Sequence, residues 1–528
     1  VPRPKVIDIQ ESFSGLNTTA SEDQLQPTEI RQAANVKFTA YSAATKRNGT
    51  QRVHTTSLGV GAPIQGGYYW DTQALYLVVC EGTLFTSPGG AFPWTWTQRG
   101  ATNFFSLTAK ISFAAFTSSS NGGNEVVYMA DGAFLSLYAS GPGLIRFTAL
   151  SPPGSPPTIS YLAVYNKRLL AVNGIDPTLY WSSLGDGNDL GIPSSPDAGG
   201  NDVIKTFGEN ACLSLLPMAA GLLILHKRGT STFTGWSQND ISVSSGTAGI
   251  SADIGTLAPF GNVAVENNAF VVSDRGVYQL TPYGIYEQIS KPIESILNGL
   301  SRSLFPLIVA AHDKVQRQVL FFFPTLGVYA WNYRTNGWSG PWDSIYLSTG
   351  LGGPCSALWP AVDQNNTPIV LGGFSDGFVR QTEVPGLYLD DVHSDGTGGN
   401  IYNLVLQSRR LLAEDAYSLK MIRWIYVTVG ATSGNSLIAP SAIQWGFGPT
   451  PSYTALPSGS SSAASGSTVP WRFQGAGHGA WVSIFINDQS GSPLYYSKLG
   501  AEGYDYGRSR YSVGGGGNPT SLISSGGN

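Results

Sequence analysis

Nine Asn-Gly or Asp-Gly pairs punctuate this chain of 528 residues, at Asn48, Asn121, Asp131, Asn173, Asp186, Asn298, Asn336, Asp376 and Asp395. Such dipeptides suit two-residue turns whose central positions need positive φ. Between short apolar runs they are the strongest local signal for a β-hairpin. The runs are present at Ala74–Cys80, Glu125–Met129, Tyr161–Val164, Leu222–His226, Ala269–Val272, Val319–Phe323 and Ile369–Leu371, and a turn and a second apolar run follow each. From about Ser57 to Gly386 the hairpins recur at a period of roughly 40–50 residues, which builds small antiparallel sheets in a ring. The pattern predicts an all-β chain whose central part, 54–390, is a β-propeller of roughly six to eight blades. The clearest units span Gly66–Gly100, Lys110–Leu150 and Ile159–Leu184.

The flanks read differently. Residues 1–53 form an N-terminal arm with a helical candidate at Pro27–Val36, opened by Pro-Thr-Glu with acidic groups near its start. Within the repeat region, Ile293, Ile296, Leu297, Leu300 and Leu304 have the spacing of one short amphipathic helix over Pro292–Phe305. After Gly386 the alternating stretches lengthen, at Asn403–Arg410, Lys420–Val429, Ala442–Phe447 and Trp481–Asn487. They predict a β-sandwich-like domain over 391–512. The tail, 513–528, is rich in Gly and Ser and is expected to be ordered only where neighbouring subunits hold it.

Charged residues make up only 12% of the chain, against roughly 25% in ordinary soluble domains. A surface so poor in charge suits a protein covered by neighbours. The net charge of −4 argues against a phosphate-gripping surface. The densest basic groups, Lys46-Arg47 with Arg52 and Arg409-Arg410, are short and isolated. Double-stranded DNA can pass such a wall without being held. The three cysteines, Cys80, Cys212 and Cys355, are far apart and read as small buried hydrophobes. No apolar stretch nears the ~18 residues that span a membrane. Val1-Pro2-Arg3-Pro4 lacks the apolar core of a signal peptide, so a chain made in the cytosol without anchor or export signal is expected.

The chemistry-bearing motifs are weak. Gly373-Phe374-Ser375-Asp376-Gly377 matches the nucleophile-elbow spacing, but Phe378-Val379-Arg380 continues as a strand where a helix belongs, so a hairpin turn is expected. Asp186-Gly187-Asn188-Asp189-Leu190-Gly191, with Asp197 beyond, resembles a calcium loop but puts Leu190 at a ligand position. Ser87–Trp94 has part of the spacing of a sialidase Asp-box, with Gly89 where the aspartate belongs. The histidines, His54, His226, His312, His393 and His478, are scattered without metal-ligand spacing. Tyr68-Tyr69-Trp70 and Trp94-Thr95-Trp96 are able to stack on sugars, although core and inter-blade packing is the ordinary use of such pairs. The expectation is a non-enzymatic chain with no catalytic residue, no cofactor and no metal site.

Ser14-Gly15-Leu16-Asn17-Thr18-Thr19, Leu25, Pro27-Thr28-Glu29, Ala34-Asn35-Val36 and Arg47-Asn48-Gly49-Thr50 follow one another in a distinctive order. Leu179-Tyr180-Trp181-Ser182 before Gly185-Asp186-Gly187, Tyr286-Glu287-Gln288-Ile289-Ser290, and Lys420–Val427 add to it. Together they resemble the β-propeller tail nozzle (tail tubular protein B-like) proteins of short-tailed bacteriophages. That resemblance implies a structural virion protein in the tail, assembled in the host bacterial cytoplasm. Its partners would be five further copies in a hexameric ring, an adaptor at the head-to-tail connector, and tail fibre, spike or needle proteins, with double-stranded DNA conducted and not specifically bound. The loops Gly185–Gly200 and Pro457–Pro470 are then candidate contact or gate elements. Two alternatives stand beside it: a tail hub or fibre-anchoring virion protein, and a secreted carbohydrate-binding or carbohydrate-cleaving propeller.

Overall fold

A computed structural model describes residues 5–146, 158–190, 199–204, 211–235, 242–244, 251–343, 354–410, 418–431, 442–446, 454–455, 468–479, 483–488 and 494–508, less 11, 22–23, 40–42, 60, 141–142, 252, 282–283 and 285. Its centre is a seven-bladed β-propeller, each blade a four-stranded antiparallel sheet. The first strands of the blades, Ile64–Trp70, Ser112–Ser118, Tyr161–Tyr165, Cys212–Met218, Val263–Val265, Val309–Asp313 and Cys355–Val362, meet around the axis. Five of the nine Gly pairs close blade hairpins, those at Asn121, Asp131, Asn173, Asn336 and Asp376.

Burial explains the sequence pattern. Second strands such as Val126–Ala130, Leu169–Val172, Leu222–His226 and Val319–Phe323 are buried throughout, because neighbouring blades cover both faces. They read as continuous apolar runs for that reason. Period-two alternation survives in first strands that border open space, such as Ser112–Ser118.

Strands from the arm are shared between both parts of the molecule. Gly49–Arg52 is the outer strand of the seventh blade, antiparallel to Val379–Val384. Gln32–Ala34 pairs with Leu404–Gln407 in a five-stranded sheet. Lys5–Gln10, Val36–Phe38 and Ala44–Lys46 join a six-stranded sheet with Ser418–Ala431, Thr468–Gly479 and Leu494–Arg508. Val36, Phe38 and Ala44 share one buried cluster with Leu404, Ile486 and Leu499, and with Phe321 and Trp338 of the sixth blade. The tail beyond 508 and most of Pro457–Pro470 lie outside the described residues.

Two helical expectations need correction. Pro27–Val36 is strand, in pieces at Glu29–Ile30 and Gln32–Ala34, with Val36–Phe38 beginning a third. Ladder pairing with Leu404–Gln407 overrides the local helix signal, and Asn35 at φ 55° turns the chain between strands. Pro292–Phe305 is not one helix but a 3-10 turn at Lys291–Ile293, a single α-turn at Glu294–Leu297 and a 3-10 segment at Arg302–Leu307. Extended Ser301 and internal Pro306 stop propagation. The apolar spacing still serves its purpose, since Ile293, Leu300 and Phe305 are buried against the sixth-blade cluster.

The ring is closed by charge as well as by strand pairing. The closing register sets Arg52 opposite Arg380, an arrangement that repels by itself. Asp391 lies between them and accepts Arg52 Nε at 2.6 Å and Arg380 Nε at 2.8 Å. Asp376 takes the other side of Arg380, at 2.9 and 2.6 Å. Fully buried Arg47 forks onto Asp390, donates to Asn35 Oδ1 at 3.0 Å and lies 4.0 Å over the Tyr402 ring. Gly49 is obligatory here, because a Cβ would stand 1.8 Å from the Leu389 carbonyl oxygen. His54 completes the seam: its Nδ1 donates to the Thr56 carbonyl at 2.6 Å and its Nε2 accepts the Val379 N–H at 2.9 Å.

Removing one partner of a buried pair leaves an uncompensated charge, which costs about 3–5 kcal/mol. Arg47→Ala or Asp390→Ala should therefore lower the unfolding midpoint far more than the paired replacement Arg47→Met with Asp390→Leu, measured by urea titration. Burial pushes His54 down to about 4. Between pH 6.5 and about 4 the unfolded chain takes up this proton and the folded one does not, so stability falls as pH drops through that window. The loss is on the order of 3 kcal/mol. His54→Gln should flatten that part of the pH–stability profile, and an unchanged slope would show that the seam does not titrate.

Candidate functional site

The first strands stand apart far enough to leave a cavity of about 240 Å³ on the propeller axis. The backbone around it is tied blade to blade. Ser112 Oγ accepts the Leu162 N–H at 3.0 Å, Ser356 Oγ donates to the Ile64 carbonyl at 2.7 Å, and Ala310 N–H donates to the Phe260 carbonyl at 3.0 Å. Gln65 donates to the carbonyls of Ser106 and Ala109, and Asn262 holds its own loop through the Ala258 carbonyl. These polar side chains line the cavity, but their hydrogen bonds hold the ring together.

Five aromatic rings share the remaining wall with aliphatic residues such as Ile111, Leu162 and Val309. Tyr68 stacks on Phe113 at 5.9 Å between centroids, and Tyr161 lies tilted to Phe260 at 5.4 Å. Trp359 packs directly on the bare backbone of Gly67, where a Cβ would stand 2.3 Å from its ring. Its Nε1–H is buried without a hydrogen-bond partner among the described residues. Burial pushes the Tyr68 and Tyr161 phenols up, so both are neutral donors at physiological pH.

Lys110 stands at the end of the axis where the inner strands begin. From the start of the second blade it reaches across to donate to the Leu307 carbonyl, ahead of the sixth, at 2.9 Å. Its amine is 5.7 Å from the Phe260 ring centroid. Burial is the main cause that pushes Lys110 down to about 7, and the nearby Cys355 thiol is itself pushed up to about 12. The described lining of the cavity carries no Asp or Glu. Sequence reasoning missed Lys110 and Trp359. One signal pointed to Lys110: it is the sole charged residue between Arg99 and Glu125, directly ahead of an alternating strand.

The motifs singled out from sequence lie elsewhere. Ser375 is in the turn between Pro368–Phe374 and Val379–Val384, with no helix after it, as the hairpin expectation held. Asp186 Oδ1 accepts the N–H groups of Ser119 and Asn188, Asp189 Oδ1 that of Ser183, and Leu190 is buried in the core. That loop links the third and fourth strands of the third blade, Thr178–Trp181 and Gly200–Val203, while Asp197 lies outside the described residues. Trp94 packs on Tyr76 at 4.2 Å and donates to the Gly90 carbonyl, so the Ser87–Trp94 segment is a packing turn. Of the aromatic pairs, only Tyr68 reaches the cavity. The fold also joins Cys212 to His226 at 3.5 Å, with Ser231 on the far ring nitrogen at 3.0 Å. That thiol is buried and pushed up to about 12, the opposite of an activated nucleophile.

No family model and no curated protein matches the sequence. Among solved structures, the chain is similar to the extracellular domain of a one component system protein from B. thetaiotaomicron. The TM-score is 0.41 at 13% identity, over 65% of this chain and 41% of that one. It is also similar to an extracellular domain from the same organism described as that of a hybrid two component system. There the TM-score is 0.41 at 12% identity, over 78% of this chain and 46% of the other. The chain thus spans less than half the length of either. Neither is a phage tail protein, and the expectation of a tail nozzle, with its virion and tail location, is withdrawn, since no match supports it.

Proposed function

We propose that this chain is a ligand-binding β-propeller that holds a saccharide in its axial cavity without cleaving it. One observation carries the reading: five aromatic rings, those of Tyr68, Phe113, Tyr161, Phe260 and Trp359, line the cavity, and the Trp359 N–H lies buried in its wall without a partner among the described residues. Sugars offer apolar C–H faces to aromatic rings and acceptor oxygens to a donor at the ring edge. The volume is below the roughly 300–1,000 Å³ of drug-sized sites, which limits an occupant to about one sugar ring. Glycoside cleavage requires two convergent carboxylates, and the described lining has none, so binding is favoured over hydrolysis.

A glycan array probed with the full chain, followed by calorimetric titration of the best monosaccharide, tests this. Trp359→Phe keeps an aromatic ring and removes the N–H, and should weaken binding about tenfold, the worth of one buried hydrogen bond. A chain that binds no glycan, or whose affinity ignores Trp359→Phe, rules the reading out.

A further inference from the structure

Beside the axial cavity, on the face where the inner strands begin, lies a second chamber of about 480 Å³. Pro63, Leu307, Phe322, Pro324, Pro354 and Cys355 give it apolar walls, and Lys110, partly exposed, stands at its boundary with the axial cavity. Phe322 is buried at the back, while Leu307 is half-exposed at the rim. The residues come from the starts of several blades, so the chamber exists only in the closed ring.

Lys110 is unusual for a lysine so placed. Among the described residues no carboxylate pairs with it, and neither chamber's described lining includes an Asp, Glu or Arg. The ionisable group that faces it is the Cys355 thiol, and burial pushes that thiol up to about 12, so it supplies no negative charge near neutral pH. Its one described protein acceptor is the Leu307 carbonyl, which leaves two ammonium protons for other acceptors. A cation at the end of an apolar chamber is costly alone and favourable with an anion beside it. We propose that the chamber and Lys110 form a binding site for a medium-chain aliphatic carboxylate. The carboxylate pairs with the Lys110 ammonium and the chain lies along Leu307, Phe322 and Pro324.

This site stands apart from the saccharide reading, with which it shares a boundary at Lys110 and Ser356. With Lys110 held down at about 7, the amine is half protonated at pH 7 and mostly neutral at pH 8, so an arriving carboxylate draws a proton onto it. The test is calorimetric titration of the full chain with octanoate and with octanol, at pH 8, in two buffers of different ionisation enthalpy. Octanoate should bind with proton uptake and about tenfold more tightly than octanol, as a charge-assisted hydrogen bond provides. Lys110→Met should erase the preference for the acid. Leu307→Glu, at an exposed rim position, should fold normally and repel octanoate by about tenfold. It decides the matter if the Lys110 variant fails to fold. Absence of octanoate binding, equal binding of acid and alcohol, or indifference to Leu307→Glu overturns the proposal. Glycan binding retained under those results leaves the axial reading intact, and octanoate binding without glycan binding overturns only the axial reading.

Discussion

The closure of the ring is the constraint on which everything else depends. Without the arm the seventh blade is a three-stranded sheet, and the edge of its last strand, Val379–Val384, stays open until Gly49–Arg52 lies beside it. An unpaired edge would be a site for association, so the closing strand completes the sheet and removes a liability. The seam is made by residues that look dispensable one by one. Arg52 and Arg380 would repel, yet Asp391 between them and Asp376 outside convert the clash into a chain of alternating charges. Arg47 extends it through Asp390 to Tyr402, and so ties the propeller to the start of the sandwich.

That seam also accounts for the shape of the molecule beyond the ring. The arm leaves the closing strand, crosses Asn48 and enters the six-stranded sheet through Ala44–Lys46. Trp342 Nε1 donates to the Val36 carbonyl, and Asn35 reaches Asp343 and the Asn403 carbonyl. Blade, arm and sandwich are thus sewn by backbone groups that would otherwise be buried without partners. The axial cavity follows from the same economy. The polar residues at the centre are used to join one blade to the next, so the groups left over are aromatic and aliphatic side chains and one lysine.

How much of this was legible beforehand depends on the range of the interaction concerned. Hairpins are local, and the Gly pairs at Asn121, Asp131, Asn173 and Asp376 fall where the turns are. Continuous apolar runs marked the covered second strands for the same reason. The Pro27–Val36 segment misled because its first residues favour a helix start, while its partner strand lies over 350 residues away, at Leu404–Gln407. Ile293–Leu304 carried the right buried positions in a segment too often interrupted to stay helical. The basic group Lys46, Arg47 and Arg52 was recognised as no nucleic-acid patch, but its place inside the clasp could not be inferred without Asp390 and Asp391 beside it.

The sequence by itself determined the all-β class, the repeating hairpins and the change of rhythm after Gly386, because turn chemistry and apolar periodicity act over a few residues. Tertiary structure alone decided that there are seven blades, that residue 49 closes what residue 384 leaves open, and that Lys110 faces Leu307 across the axis. Those are meetings of distant segments, set by how sheets pack in a ring, and no local pattern encodes them.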